Sequence, residues 1–456
     1  MNDYYSFDIE FPNVDFNNYY IKCDIVSKVH HAHLTTHENE IELKIFYDDN
    51  TYFGEKIAMW VQKINWRKFG SFIKVSNEKK KDRLKKIDLS LAKLCSIQNS
   101  TGNYDGITKF VVIKIDFVKF YWNPVKEELN TAEFYLHDVG FRVVKDFYSI
   151  VFGQDGNFNI SRMNGMDVFY PLDKSEFRPE FNTISRDNRE NRVATITKEP
   201  KIQFKYNKQV TEEEAIFYGD VVCLLASFYH HIKIDYSLRR IHLPEHTITI
   251  KKIEVKNHFE TRGSLWSFNI FGNFHKFLHS DWQKNSIKNF KLLSKAIELF
   301  NQALLVDSNS EFLIRYNIIE LCDTRKQSNE KFNLILTGNA KKKKYKEALK
   351  LLLETVNPKE HKPFRNKWDS LSGKLENKPM KSPLTSFLES QNIKTSDLPI
   401  SVDVLKELRN NITHGSIDKV DAEILRRANT LLYRINGILI LNLIGVKDWK
   451  LNTELN

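Results

Sequence analysis

The stretch Leu408-Arg409-Asn410-Asn411-Ile412-Thr413-His414-Gly415, with Asp418 shortly after it, decides the reading of this 456-residue chain. Val404, Leu405 and Leu408 carry helical spacing ahead of it. A helix from about Ser401 is therefore expected to end near His414, because Gly415 supplies the left-handed position past a helix end. Asp418 is expected to open a long amphipathic helix through Val420, Ile424, Ala428, Leu431, Ile435 and Leu439. Two helices broken at one glycine, each with an apolar stripe, predict a bundle.

Upstream, helical spacing continues back to about residue 284. Phe290, Leu293, Ile297, Phe300 and Leu304 recur at three and four, as do Phe312, Tyr316, Ile319 and Cys322, and Tyr345 to Val356 is a further amphipathic segment. Before about residue 250 the periodicity is that of strands. Tyr19–Val29, Ile41–Tyr47, Ile57–Ile64, Phe110–Phe120 and Phe134–Val144 read as strands, with Asp155-Gly156 as a hairpin turn and Arg240–Leu243 and Thr247–Val255 as two later short strands. Lys174–Pro200 is so hydrophilic that it reads as a long surface loop. One helix interrupts this half: Thr211 and Glu214 form a capping box ahead of Ala215, Ile216, Val222, Leu225 and Phe228. The expected class is α+β multidomain: a β-rich region over 1–262 (helix near 211–230 included), an aromatic-rich junction over 263–283, and a helical bundle over 284–456.

Composition narrows the function. Apolar residues make up 41% and charged residues 28%, an ordinary globular balance. No apolar run reaches the ~18–20 residues of a membrane span; Ile438–Val446 is short and interrupted by Asn442, so no membrane partner is expected. The first residues carry no export signal. Cys23, Cys95, Cys223 and Cys322 lie far apart in neither a zinc nor a disulfide pattern, which fits the cytoplasm. Phosphate-binding glycine loops and the GxSxG nucleophile elbow are absent, which disfavours common nucleotide-loop enzymes and serine hydrolases. From Lys284 onward 30 Lys and Arg stand against 20 Asp and Glu, so nearly all of the net +11 lies in the helical part. That suits an anionic partner there, although a lysine-coated surface produces the same imbalance.

Three groups of residues invite chemical readings beside plainer ones. His30, His31, His33 and His37 crowd one strand; a solvated strand edge explains them as well as a metal does, and no cofactor or metal is expected. His275 and His279 are spaced i, i+4 among aromatics (Trp266, Phe268, Phe271, Phe274, Phe277, Trp282), where packing at the junction competes with a ligand pair. Lys341, Lys342, Lys343, Lys344 and Lys346 either track a phosphate backbone or form a solvated helix start.

The Arg409–His414 stretch has the more specific chemistry. The last carbonyls of the helix favour a cationic imidazole at His414. A cationic His beside an always-charged Arg is poorly suited to a core and well suited to a phosphodiester: Arg409 holds non-bridging oxygens in a two-pronged grip, His414 donates to a leaving oxygen, and Asn410 fixes orientation. The loose spacing alone is weak, since Arg239 and Arg240 with His246 satisfy it too. Asn directly after Arg, Gly directly after His, and a helix on either side set the C-terminal copy apart.

That combination resembles the RNxxxH signature of HEPN domains, and Leu-Arg-Asn-Asn-Ile-Thr-His-Gly is similar to the Apea-like branch, in which a β-rich region precedes the bundle. The resemblance covers about Lys284–Ile444. It implies a metal-independent endoribonuclease in which two bundles pair about a two-fold axis and the RNA 2′-hydroxyl attacks its own phosphate, leaving a 2′,3′-cyclic phosphate and a 5′-hydroxyl. Arg409 would stabilise the phosphorane, His414 would serve as acid and base, and Asn410 would support them. The implied partners are RNA (tRNA among the candidates), a second copy of the chain, and a phage-derived trigger at the N-terminal region; the implied role is anti-phage abortive infection. Two other readings are a non-catalytic HEPN dimerisation module and an adaptor whose N-terminal region senses a ligand.

Overall fold

The computed structural model describes residues 5–9, 29–37, 40–47, 71–72, 84–104, 107–124, 129–152, 158–163, 168–188, 193–253, 274–323, 338–375, 383–447 and 449–451. Its class is α+β, with strands filling the N-terminal half and helices the C-terminal region. In chain order the strands are β1 (Tyr5–Ile9), β2 (Val29–Thr36), β3 (Ile41–Tyr47), β4 (Ser71–Phe72), β5 (Leu84–Asp88), β6 (Leu94–Tyr104), β7 (Ile107–Ile115), β8 (Phe117–Trp122), β9 (Thr131–Leu136), β10 (Tyr148–Phe152), β11 (Phe158–Arg162), β12 (Tyr170–Leu172), β13 (Ser175–Asn188), β14 (Val193–Tyr206), β15 (Tyr236–His242) and β16 (Thr247–Lys252). The helices are α1 (Phe141–Lys145), α2 (Glu212–His230), α3 (Phe274–Leu278), α4 (Gln283–Lys288), α5 (Phe290–Gln302), α6 (Ser308–Cys322), α7 (Gly338–Glu354), α8 (His361–Leu375), α9 (Pro383–Ser390), α10 (Val402–Thr413) and α11 (Ala422–Ile444).

The strands form a five-stranded sheet ordered β1-β2-β3-β7-β6, a nine-stranded sheet ordered β12-β13-β14-β9-β15-β16-β8-β5-β4, and the hairpin β10-β11. The expected strand over Phe110–Phe120 is in fact two strands that belong to different sheets. Asp116 makes the break: its carboxylate accepts the Lys93 N–H at 2.7 Å, and its carbonyl accepts the Ile253 N–H at 2.9 Å. The expected strand over Phe134–Val144 stops at Leu136. Gly140 N–H donates to the His137 carbonyl at 2.7 Å, closing a tight turn, and α1 then buries Val143 and Val144.

The surface loop expected over Lys174–Pro200 is instead the ribbon β13–β14, paired in register from Ser175↔Tyr206 to Asn188↔Val193. Its charges face one another across the ribbon. Lys201 meets Glu180 at 3.0 Å and Asn182 donates to Glu199 at 3.1 Å, while Phe177 and Phe204 pair on the buried face. Polarity thus marks cross-strand pairing here rather than a loop. Phe152↔Phe158 is the last described pair of β10 and β11; the expected turn Asp155-Gly156, the expected strand Ile57–Ile64 and all of Tyr19–Val29 except Val29 lie outside the described residues.

The capping box of α2 is present in full: Glu214 N–H donates to Thr211 Oγ1 at 3.2 Å and Thr211 N–H to Glu214 Oε2 at 3.0 Å. Gly219 lets this helix sit directly on Phe134 of β9, where a Cβ would run into the ring.

The chain divides into two compact units, residues 1–306 with 440–452, and residues 307–439 with 453–456. The first takes in α4 and α5, which the sequence places in the bundle. The reason is packing on α2: Phe217 meets Phe290 at 4.9 Å and Phe228 meets Phe300 at 5.7 Å. In the second unit α6 and α11 are joined through buried amides. Asn436 Nδ2 donates to the Arg315 carbonyl and Asn429 Nδ2 to the Ser308 carbonyl, both at 2.9 Å. Arg315 itself is 1% exposed, ion-paired to Glu311 at 2.7 Å and held over the Tyr433 ring. No described helix is long and apolar enough to cross a membrane.

Candidate functional site

The geometry of a helix end builds the site. Ser401 caps α10, its Oγ accepting the Val404 N–H at 3.4 Å, and Val402, Leu405, Leu408 and Ile412 form the buried stripe. At the other end Gly415 takes φ +75°. Its N–H donates to the Ile412 carbonyl at 3.2 Å, and Ser416 N–H donates to the Asn411 carbonyl at 2.8 Å. This is a Schellman ending. It stops the helix at Thr413 and leaves Asn410 and His414 exposed. The next helix begins at Ala422 rather than Asp418, since residues 417–419 form a separate 3-10 turn and Asp421 is the residue that accepts the Ile424 N–H, at 2.8 Å.

Arg409 follows the buried Leu408 and is half-exposed. Its guanidinium lies 3.7 Å from Glu320 and 6.0 Å from the Tyr316 ring centre, both on α6. Burial, with Glu320 adding to it, pushes the Tyr316 hydroxyl above its ordinary range, against the opposing pull of Arg409. Tyr316 therefore stays a neutral phenol beside the guanidinium. An ion pair with side chains 38% and 53% exposed contributes ~0–1 kcal/mol, too little to hold Arg409 against a competing phosphate. Positions five apart on a helix differ by about 140° around the axis, so Arg409 and His414 are offset around α10 rather than stacked on one line.

The look-alike residues are used differently. Arg239 is 1% exposed, bound to Asp220 and packed over Tyr236 and Phe134. Arg240 lies 4.0 Å from Glu133 and over the Tyr135 ring. His246 packs on Tyr121 at 5.6 Å. Arg239 and Arg240 are sheet side chains, and His246 stands in the turn between β15 and β16.

His275 and His279 do come together, ring centres 4.6 Å apart, with Tyr170 bonded to His275 Nδ1. The environment is aromatic: Phe147 and Tyr170 flank His275, and desolvation pushes its pKa down. Phe274 and Phe277 pack on Tyr229, and Trp282 on Phe177, so the described part of the junction is packing within the first unit; Trp266, Phe268 and Phe271 lie outside the described residues. His33 is half-buried and His37 exposed on β2 and its end. Among the described residues no group of three or more His, Cys, Asp or Glu is placed to hold a metal. Lys342, Lys343, Lys344 and Lys346 are exposed on the first turns of α7, which also carries Lys341.

Two features escaped the sequence reading. Glu320 and Tyr316 flank Arg409 although nothing in their spacing points to α10, and Arg315, which no motif singles out, is buried. Comparison with protein-family models, curated proteins and solved structures finds no match.

Proposed function

We propose that this chain is a metal-independent endoribonuclease of the HEPN type, an abortive-infection effector of the Apea-like branch that works as a homodimer in the cytoplasm. The observation that carries the reading is the end of α10: a Schellman stop leaves His414 in solvent about a turn beyond a half-exposed Arg409, with Asn410 exposed directly after the arginine. Arg409 grips the non-bridging oxygens of the scissile phosphate, His414 moves the proton to or from the sugar oxygens, and Asn410 supports the pose. Because the two are offset around the helix, one copy offers a thin grip. A two-fold partner supplying the same pair completes the cleft. The N-terminal sheets serve as sensor or regulator of a phage-derived trigger.

The Glu320 contact favours a second reading, in which Arg409 is a structural ion-pair residue and the bundle is a non-catalytic dimerisation or adaptor module. Incubation of the full chain with total tRNA in excess EDTA separates the two. The nuclease reading expects fragments ending in 2′,3′-cyclic phosphate and 5′-hydroxyl; intact tRNA at enzyme excess, or cleavage only with added metal, leaves the adaptor.

A further inference from the structure

Between Gly338 and Leu375 the sequence carries eleven Lys and Arg against four Asp and Glu, a net +7 that is more than half of the whole chain's +11. These residues are the helices α7 and α8 and the short turn between them. Asn357 Oδ1 accepts the Lys359 N–H at 3.1 Å in that turn, and the His361 ring bonds the Val356 carbonyl at 2.9 Å. The apolar stripe of α7 faces inward: Leu349 and Leu353 are buried, and Tyr345 lies 6.1 Å from Trp368 of α8, which stacks on Phe364 at 6.4 Å.

With the aromatics pinning the two helices, the cations are left outside. Lys342, Lys346, Lys350, Lys359, Lys362 and Arg365 are all exposed. Lys342, Lys346 and Lys350 repeat at i, i+4, about one turn apart, where like charges cost a helix ~0.2–0.5 kcal/mol per pair. A solvated helix normally alternates signs on such a row. Here Lys342, Lys346 and Lys350 stand three in a row with one sign before Glu354 ends it, a strip that a polyanion lying along it would stabilise. A membrane-surface helix would need an apolar face turned to water; the large apolar residue exposed on the described part of this hairpin is Leu351 alone, at 65%.

We infer that the α7–α8 hairpin is an arm that docks the phosphate backbone of a nucleic-acid strand by charge, without reading its bases. The inference goes beyond the nuclease reading, because docking needs neither Arg409 nor His414 and persists in a chain that cuts nothing.

The test is fluorescence anisotropy of the full chain with labelled oligo(dT), which lacks the 2′-hydroxyl, across a salt series. Wild type should bind and lose about 10²-fold in affinity from 50 to 200 mM salt, as four or more phosphate contacts require. The set Lys342→Glu, Lys346→Glu, Lys362→Glu and Arg365→Glu should weaken binding at least ~10-fold and flatten the salt slope by roughly 3, while the swaps Lys342→Arg, Lys346→Arg, Lys362→Arg and Arg365→Lys should keep wild-type affinity. If the reversed set loses helicity by circular dichroism, the neutral Gln set at the same four positions carries the test with the same sign. Wild-type affinity and slope in the reversed or neutral set overturn the inference. So does wild-type protein that ignores oligo(dT) and oligo(U) but sediments with phosphatidylserine vesicles. Loss of tRNA cleavage with intact oligo(dT) docking would instead count against the nuclease reading alone.

Discussion

At the scale of single residues, Arg409 and His414 are where the proposed nuclease reading is tested. Replacing either with Ala should lower tRNA cleavage at least ~10²-fold, the usual size of a general-acid or charge-stabilising contribution. Arg409→Lys should not restore it, because a point charge does not reproduce the planar two-pronged grip. The look-alike pair gives the control: Arg240→Ala with His246→Ala should leave cleavage at the wild-type rate, since one is a sheet side chain on Glu133 and the other a turn residue packed on Tyr121. Cleavage by His414→Ala at the wild-type rate would sink the assignment. A different histidine governs acid stability. His230 is buried beside Tyr229 and Phe274, its Nε2 has no hydrogen-bond partner among the described residues, and burial, with Lys145 and Arg142 behind it, brings its pKa down to about 3. The folded protein keeps it neutral, whereas the unfolded chain takes up a proton near pH 6.5. Its contribution is therefore complete above that pH and is lost as pH falls from 6.5 toward 3, with a slope of up to about 1.4 kcal/mol per pH unit. Urea midpoints measured from pH 7 to 5 should fall in wild type and fall less in His230→Phe. Equal slopes would remove His230 as the cause.

At the scale of elements, the ends of helices were the most legible part of the sequence. The capping box at Thr211 and Glu214 and the glycine stop at Gly415 both form as their residues dictate, because a cap is made by neighbours within four positions and owes little to distant packing. Gly415→Ala should cost about 1–2 kcal/mol, the penalty of a Cβ at positive φ, although nothing lies within 4 Å of the added atom. Thermal melts would read it, and a gain in stability would contradict the ending described. The strands were less legible. Phe110 to Phe120 is uninterrupted by Gly or Pro, so its apolar run looks like one strand; the split at Asp116 is imposed by Lys93 and Ile253, which are remote in sequence. The ribbon β13–β14 was hidden for the opposite reason. Its charges are solvated when the chain is read alone and become cross-strand pairs only once Glu180 is brought beside Lys201.

At the scale of the whole molecule, the prediction is assembly. Light scattering at working concentration should give a dimer. Mixing an Arg409→Ala chain with a His414→Ala chain should recover some cleavage, because in the proposed composite cleft each copy would lend what the other lacks. A monomer with full activity would refute the composite cleft. Charge acts at this scale too: +10 of the net +11 lies from Lys284 onward, and a field of that kind would steer an anionic partner from a distance and make the encounter salt-dependent.

The sequence by itself determined the order of β-rich and helical regions, the capping box at Thr211 and Glu214, the helix-glycine break that exposes His414, and the concentration of positive charge. All of these follow from periodicity or from contacts within a few residues, which is the range over which a chain dictates its own backbone. Only the tertiary structure decided which sheet each strand joins, that α4 and α5 belong with the sheets, that Arg315 is buried over Tyr433, and that Glu320 and Tyr316 flank Arg409. Each of those depends on partners far along the chain, whose proximity is set by the burial of apolar surface as a whole and leaves no mark in local spacing.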